Sequence, residues 1–313
     1  MKPRFILCLL AILLTAHYGA SQDRTPGTAE TFLDRGILLA SNGDYEMAIA
    51  DFTEALSLDE NMASAYILRG RAFFAAASHI TSLGENFSNV TAVIDGEEVS
   101  DEKQVLYDKA IADFTQALRL EPDSSHAYRE RGVAYSDKGD QNNAIADLNQ
   151  AIRLDPNNAA AYNNRGNIYR RMNDNDLAIA DYSQAIRINP DFARAYTNRG
   201  VMYHAIGELN HASEDLNQAI LLAPDDALAY YNRGIYYIDI DDNDRAILDF
   251  SQVIRLNFNP AAAYFYRGFA YYMNMDYDRA IADYEATLRI DPNHAYATEW
   301  LENARLAREE ENE

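Results

Sequence analysis

An arginine followed by a glycine recurs along this chain, with the glycines at Gly36, Gly70, Gly132, Gly166, Gly200, Gly234 and Gly268. The stretches around them, such as AYNNRGNIY, AYTNRGVMY and AYYNRGIYY, are near-copies. From Gly132 onward every interval is 34 residues, as is Gly36 to Gly70, whereas Gly70 to Gly132 is 62, one period plus 28. A fixed period of this size means that one unit cannot bury its apolar face alone and must stack on its neighbours. The seven units begin at Ala29, Ala63, Ser125, Ala159, Ala193, Ala227 and Ala261, and places are counted from those residues.

Apolar spacing inside each unit is helical. Place 4 is aromatic in every unit (Phe32, Tyr66, Tyr128, Tyr162, Tyr196, Tyr230, Tyr264), place 8 is the glycine, and place 11 is Leu39, Phe73 or Tyr. Steps of four and three put these residues on one helical face. A second helix carries Ala at place 20, Phe, Tyr or Leu at place 24 and a small residue at place 27. Glycine inside a helix costs about 1 kcal/mol against alanine, so its recurrence implies close packing of two helices. Pro122, Pro156, Pro190, Pro224 and Pro292 stop the second helix, and the Asp or Asn after each is expected to cap the next.

These residues resemble the tetratricopeptide repeat family, whose helix–turn–helix unit shows this order of aromatic, Gly, Tyr, Ala, Phe and Pro. The resemblance covers residues 29–294, departing at Glu60 and Phe258, where proline is expected, and at the arginine before each glycine. It implies an all-α, right-handed solenoid of seven units, closed by a capping helix over about 295–308 with Ala297, Leu301, Ala304 and Ala307 inward. Residues 309–313 make an acidic tail.

The arginine at place 7 (Arg35, Arg69, Arg131, Arg165, Arg199, Arg233, Arg267) is matched by an aspartate at place 23 (Asp51, Asp113, Asp147, Asp181, Asp215, Asp249, Asp283). A helix pair turning near place 15 sets the two at one height. Two readings follow: a ladder of ion pairs between helices, which the buried neighbours of place 7 favour, or a row of guanidinium groups facing a ligand. The extra 28 residues fall within about 76–104, where Asn89 to Val99 reads as two short extended pieces around an Asp95–Gly96 turn. That segment reads equally as a tolerated surface loop and as a partner-docking loop. Asn86 and Asn89 both fit the N-glycosylation pattern.

The first 21 residues have basic Lys2 and Arg4, an apolar run from Phe5 to Ala16 and small Gly19, Ala20 and Ser21, the pattern of a secretory signal peptide, with 22–28 a linker. A spanning helix needs about 20 apolar residues, longer than this run, so an uncleaved anchor is the weaker reading. Cys8, the chain's one cysteine, lies in this segment, so the mature chain has no disulfide, cysteine zinc site or thiol nucleophile. Removing the segment takes two positive charges from a net −22, leaving −24. Such acidity repels phosphate backbones, so a nucleic-acid partner is not expected. A cysteine-free exported chain points to a bacterial periplasm before a eukaryotic exterior.

Catalytic and cofactor motifs are missing. Asp239 to Asp244 starts like a calcium loop, but Asp244 stands at its glycine and Phe250 at its bidentate glutamate. The mature histidines form no metal pair, and no nucleophile elbow, P-loop or dinucleotide fingerprint occurs. With repeats filling the chain, the expectation is a non-enzymatic scaffold without cofactor or metal, binding a protein or peptide. The alternative is a small-molecule or glycan receptor.

A 100° step places residues 2, 6, 9 and 13 of each unit opposite the buried stripe. In units four to six that face carries Asn164, Asn167, Arg171, Arg194, Asn198 and Asn232, flanked by Arg170 and Tyr231. Asparagine offers a donor and an acceptor, which suits an extended peptide backbone. The resemblance makes this face the peptide groove, although Asn163 and Leu228 stand where its lysine clamp would need basic residues. Unit seven turns apolar there at Tyr266, Phe269 and Met273, beside Phe265 and Tyr272, while Glu130 and Asp137 make unit three acidic. The expected ligand is an extended peptide with an acidic group near Arg170, Arg171 and Arg194 and apolar side chains toward Phe269.

Overall fold

The computed structural model describes residues 27–87 and 98–311. The leader segment, and residues 89–97 of the hairpin read into 89–99, lie outside the described residues. Those described form fifteen helices and no strand. Seven antiparallel pairs follow in order: α1 (Ala29–Ser41) with α2 (Tyr45–Leu58), α3 (Ala63–Phe87) with α4 (Glu98–Leu120), α5 (Ser125–Lys138) with α6 (Gln141–Leu154), α7 (Ala159–Arg171) with α8 (Asn175–Ile188), α9 (Ala193–Ala205) with α10 (Leu209–Leu222), α11 (Ala227–Asp239) with α12 (Asn243–Arg255) and α13 (Pro260–Met273) with α14 (Tyr277–Ile290). A last helix, α15 (Ala297–Glu311), lies on α14. The first helix of each unit packs on its own second helix and on the second helix of the unit before, which gives an all-α solenoid.

Place 15 turns each uninterrupted pair by entering the left-handed region: Gly43, Gly139 and Gly207 do so without strain, and Asn173, Asp241 and Met275 follow with φ near 60°. The caps fall one residue later than expected. Ser124, Asn158 and Asp226 accept the backbone N–H bonds, because the Asp or Asn directly after each proline is still turning; Phe192 fills the place without capping. Where Phe258 replaces proline, Asn257 and Asn259 take positive φ and Pro260 opens α13 instead.

The interrupted second unit differs most from expectation. α3 runs past its neighbours' length to Phe87 and α4 starts at Glu98, so most of the 28 extra residues lengthen the pair. Glu98 and Val99, read as extended, are helical, and Asn86 lies within α3. No proline interrupts 76–87 or 98–104, and alanines and charged residues there favour helix.

Close approach explains the glycines. A Cβ on Gly166 would sit 2.7 Å from the Tyr182 ring, and one on Gly36 2.5 Å from Phe52. The alanines at place 20, Ala48 through Ala280, have no exposed surface, so each pair meets through small residues under an aromatic or leucine lid.

The arginines form the ladder. In all seven units Nε donates to Asp Oδ2 and Nη2 to Oδ1, at 2.5–2.8 Å, in bidentate pairs. From unit two onward Nη1 also donates to place 25 of the preceding unit: Thr53, Thr115, Asn149, Ser183, Asn217 and Ser251, at 2.5–3.1 Å. In units three to seven the guanidinium sits over the tyrosines of places 4 and 11, 5.3–5.9 Å from their centroids. Burial pushes the carboxyls of Asp113 and Asp249 up against the pull of these hydrogen bonds. From unit three onward the donors are committed to two helices and the faces to two rings, so these arginines tie neighbouring units of the array together.

Candidate functional site

Helices α5, α7, α9 and α11 present places 6, 9 and 13 side by side. Between α5 and α7 lies a cleft of about 170 Å³ lined by Val133, Ser136, Asp137, Leu148, Asn164, Asn167, Ile168 and Arg171. Three of the predicted residues therefore converge on one concavity. Arg171 crosses between units: Nη2 donates to Ser136 Oγ at 2.6 Å, and Nη1 lies 3.5 Å from Asp137. Asn167 accepts from the Tyr182 hydroxyl at 2.8 Å. Arg170 and Arg194 are exposed, one on α7 and one on α9. Burial raises the Tyr182 phenol to about 12, against the opposing pull of Arg170, so it stays a neutral donor at pH 7.

The asparagine row is less open than its spacing suggests. Asn198 Nδ2 donates to Oδ1 of buried Asn163 at 2.9 Å, and Asn232 Nδ2 donates to the Leu228 carbonyl at 2.8 Å. Each has one amide function tied inward. Asn164 is half-buried at the cleft wall.

The aromatic end is not an open groove. Phe265 is buried against Tyr284 and His294, and Tyr231 packs edge-on to Phe250, Phe258 and Tyr266. Phe269 and Tyr272 both meet the edge of Trp300 on α15, at centroid distances of 5.0 and 5.3 Å. The capping helix thus occupies the surface onto which unit seven's aromatics were expected to draw a ligand. Ser136 and Trp300 were missed by the sequence reading. The signal for Ser136 was a spacing of 35, one period plus one, which brings successive first helices into contact at both Ser136–Arg171 and Asn163–Asn198.

Units four and seven differ in one hydroxyl. Tyr284 is fully buried like Tyr182, but Phe269 stands where Asn167 would accept, and the Tyr284 hydroxyl has no hydrogen-bond partner among the described residues. Tyr182→Phe is expected to cost about 1 kcal/mol, and Tyr284→Phe to be neutral or stabilising by up to about 1 kcal/mol. Thermal melts of the two variants check this, and a larger loss in Tyr284→Phe would contradict the assignment.

Comparison with known proteins places this architecture. Profiles of the tetratricopeptide repeat match residues 29–62, 193–226, 227–260 and 261–294, and a TPR repeat profile matches 134–173 and 166–207, together more than half of the chain. The chain belongs to the tetratricopeptide repeat family. No curated protein sequence matches significantly. A tetratricopeptide repeat protein from Parabacteroides merdae superposes with a TM-score of 0.56 at 18% identity, over 88% of this chain and 98% of that one. The APC/C hetero-tetramer Cut9–Hcn1 gives 0.58 at 18% identity over 88% of this chain, which spans only 55% of the matched chain. YrrB, described as having an unusual peptide-binding site, gives 0.50 at 22% identity over 59% of this chain and 96% of its own. At these identities the likeness concerns the fold. Members of the family mediate protein–protein interactions, and among the described residues no helix is long and apolar enough to cross a membrane and no metal-ligand cluster forms.

Proposed function

We propose that this chain is an exported, non-enzymatic scaffold that binds an extended peptide along α5, α7, α9 and α11. The observation that carries the reading is the cleft between units three and four. Asn164, Asn167 and Arg171 meet there, and exposed Arg170 and Arg194 stand on α7 and α9 of an otherwise acidic chain. An acidic group on the ligand fits these cations, and Asn164 and Asn167 suit its backbone. The filled aromatic end removes the support for a small-molecule or glycan receptor using that surface. Export rests on the leader residues 1–21 and on a remaining chain without cysteine, and a periplasmic setting fits both.

The test must spare residues that hold the fold, since Asn198→Ala would strand Asn163 and Asn167→Ala would strand Tyr182. An Arg170→Gln, Arg194→Gln double variant leaves both the Asn198–Asn163 and the Tyr182–Asn167 hydrogen bonds in place. It is expected to keep its helicity and melting temperature and to lose about tenfold or more in affinity for acidic extended peptides selected on an array, about 1.4 kcal/mol. Unchanged affinity would remove the site from this face. Export is checked by intact mass: a chain beginning near Gln22 is expected, and one retaining Met1 contradicts it.

A further inference from the structure

The two ends of the array are finished differently. In units two to seven, place 10 is covered by the preceding unit's second helix: Ala72, Ala134, Ile168, Met202, Tyr236 and Ala270 are 0–6% exposed. Place 3 is alanine in the same units, with no exposed surface. In unit one the corresponding residues are Leu38, 61% exposed, and Thr31, also exposed, with Ile37 exposed beside them. At the other end the missing unit is provided for. α15 seats Ala297 and Ala304 at places 3 and 10, and exposed Glu302 stands at place 8, where the glycine would admit a further helix. One end carries a charged residue where a further helix would pack, and the other leaves Ile37 and Leu38 exposed where the interior units are covered by a helix.

We propose that the outer face of α1 is a second docking surface, independent of the groove, for a basic amphipathic helix of a protein partner. Six interior copies of this face show what covers it, an antiparallel helix with an apolar stripe. The flank is acidic: Glu30 and Asp34 precede Leu38 at steps of four on α1, and the helix's one cation, Arg35, is bound to Asp51. An occupant with lysine or arginine beside its apolar stripe matches this flank, whereas a second copy of a chain at −22 is opposed by it.

The probe is a helix-locked 15-residue peptide copying residues 141–155, with Asn142→Lys, Asn143→Lys and Ala146→Lys at three places exposed in the array. A twin carries glutamate at those places. Anisotropy with the full chain is expected to favour the lysine peptide by about tenfold or more at low salt, and Leu38→Glu is expected to abolish its binding. That loss would occur despite an added negative charge, which identifies the apolar contact. Because Leu38 is exposed, the variant keeps the fold. Equal binding of the twins, indifference to Leu38→Glu, or no binding of the lysine peptide overturns the proposal. Two other results overturn it in favour of a different occupant. A dimer in sedimentation velocity that Leu38→Glu dissolves means a second copy, and binding only by a chain starting at Gln22 means that residues 1–21 occupy the face.

Discussion

Arg199→Ala is expected to destabilise the array by about 3 kcal/mol or more, because it leaves the Asp215 carboxylate buried without its bidentate partner. The same change frees Ser183 and uncovers the faces of Tyr196 and Tyr203, so units four and five lose contact as well as the pair itself. Replacing both partners, as Arg199→Met with Asp215→Leu, is expected to recover much of the loss, since an apolar pair of similar volume needs no desolvated charge. Thermal and denaturant melts of the two single variants and the double variant measure the coupling. A single variant that melts like the parent but no longer binds acidic peptides would return the arginines to the ligand surface.

Ending the chain at Asn293 is expected to have the other large effect. α15 covers Phe265, Ile281 and Tyr284, all 8% exposed or less, and Trp300 lies against Phe269 and Tyr272. Without it, unit seven presents these side chains to water, and in a one-dimensional array the damage starts at that end. Amide exchange protection of α13 and α14 is expected to vanish while α5 to α10 stay protected. Leu301→Asp is expected to reproduce part of this without truncation. Protection in unit seven that survives both changes would mean that the helix is an ornament on a self-sufficient solenoid.

Most of the fold was legible because each unit repeats the same physics. The 16-residue step from Arg to Asp is visible in six units, with the interruption stretching it only from Arg69 to Asp113, and a helix pair leaves such a step few places to go. The same step from place 25 of one unit to place 7 of the next was equally present, yet Thr, Ser and Asn are too varied to announce a shared acceptor. In the interrupted unit there was no second copy to compare, and an Asp95–Gly96 turn signal drew Glu98 and Val99 into a strand although α4 already contains them. The groove was legible as a face. Which of its polar groups are spent was not, because the bonds of Asn198 and Arg171 depend on buried neighbours in another unit. Trp300 is the plainest case: its indole belongs to the capping helix, outside the seven repeats whose pattern was compared, and meets Phe269 and Tyr272 edge-to-face.

Because from unit two onward each guanidinium grips its own unit and the one before by the same set of atoms, the joints along this molecule are interchangeable. Excising residues 193–226 would bring Arg233 opposite Ser183, a hydroxyl of the kind already accepting from Arg199 and Arg267. Whole units can thus be gained or lost with every seam closing as before, while a change of half a unit would mismatch the seam. The length of the face lined by the first helices is therefore a quantity that duplication and deletion can adjust directly, with the chemistry of each segment left to drift on its own.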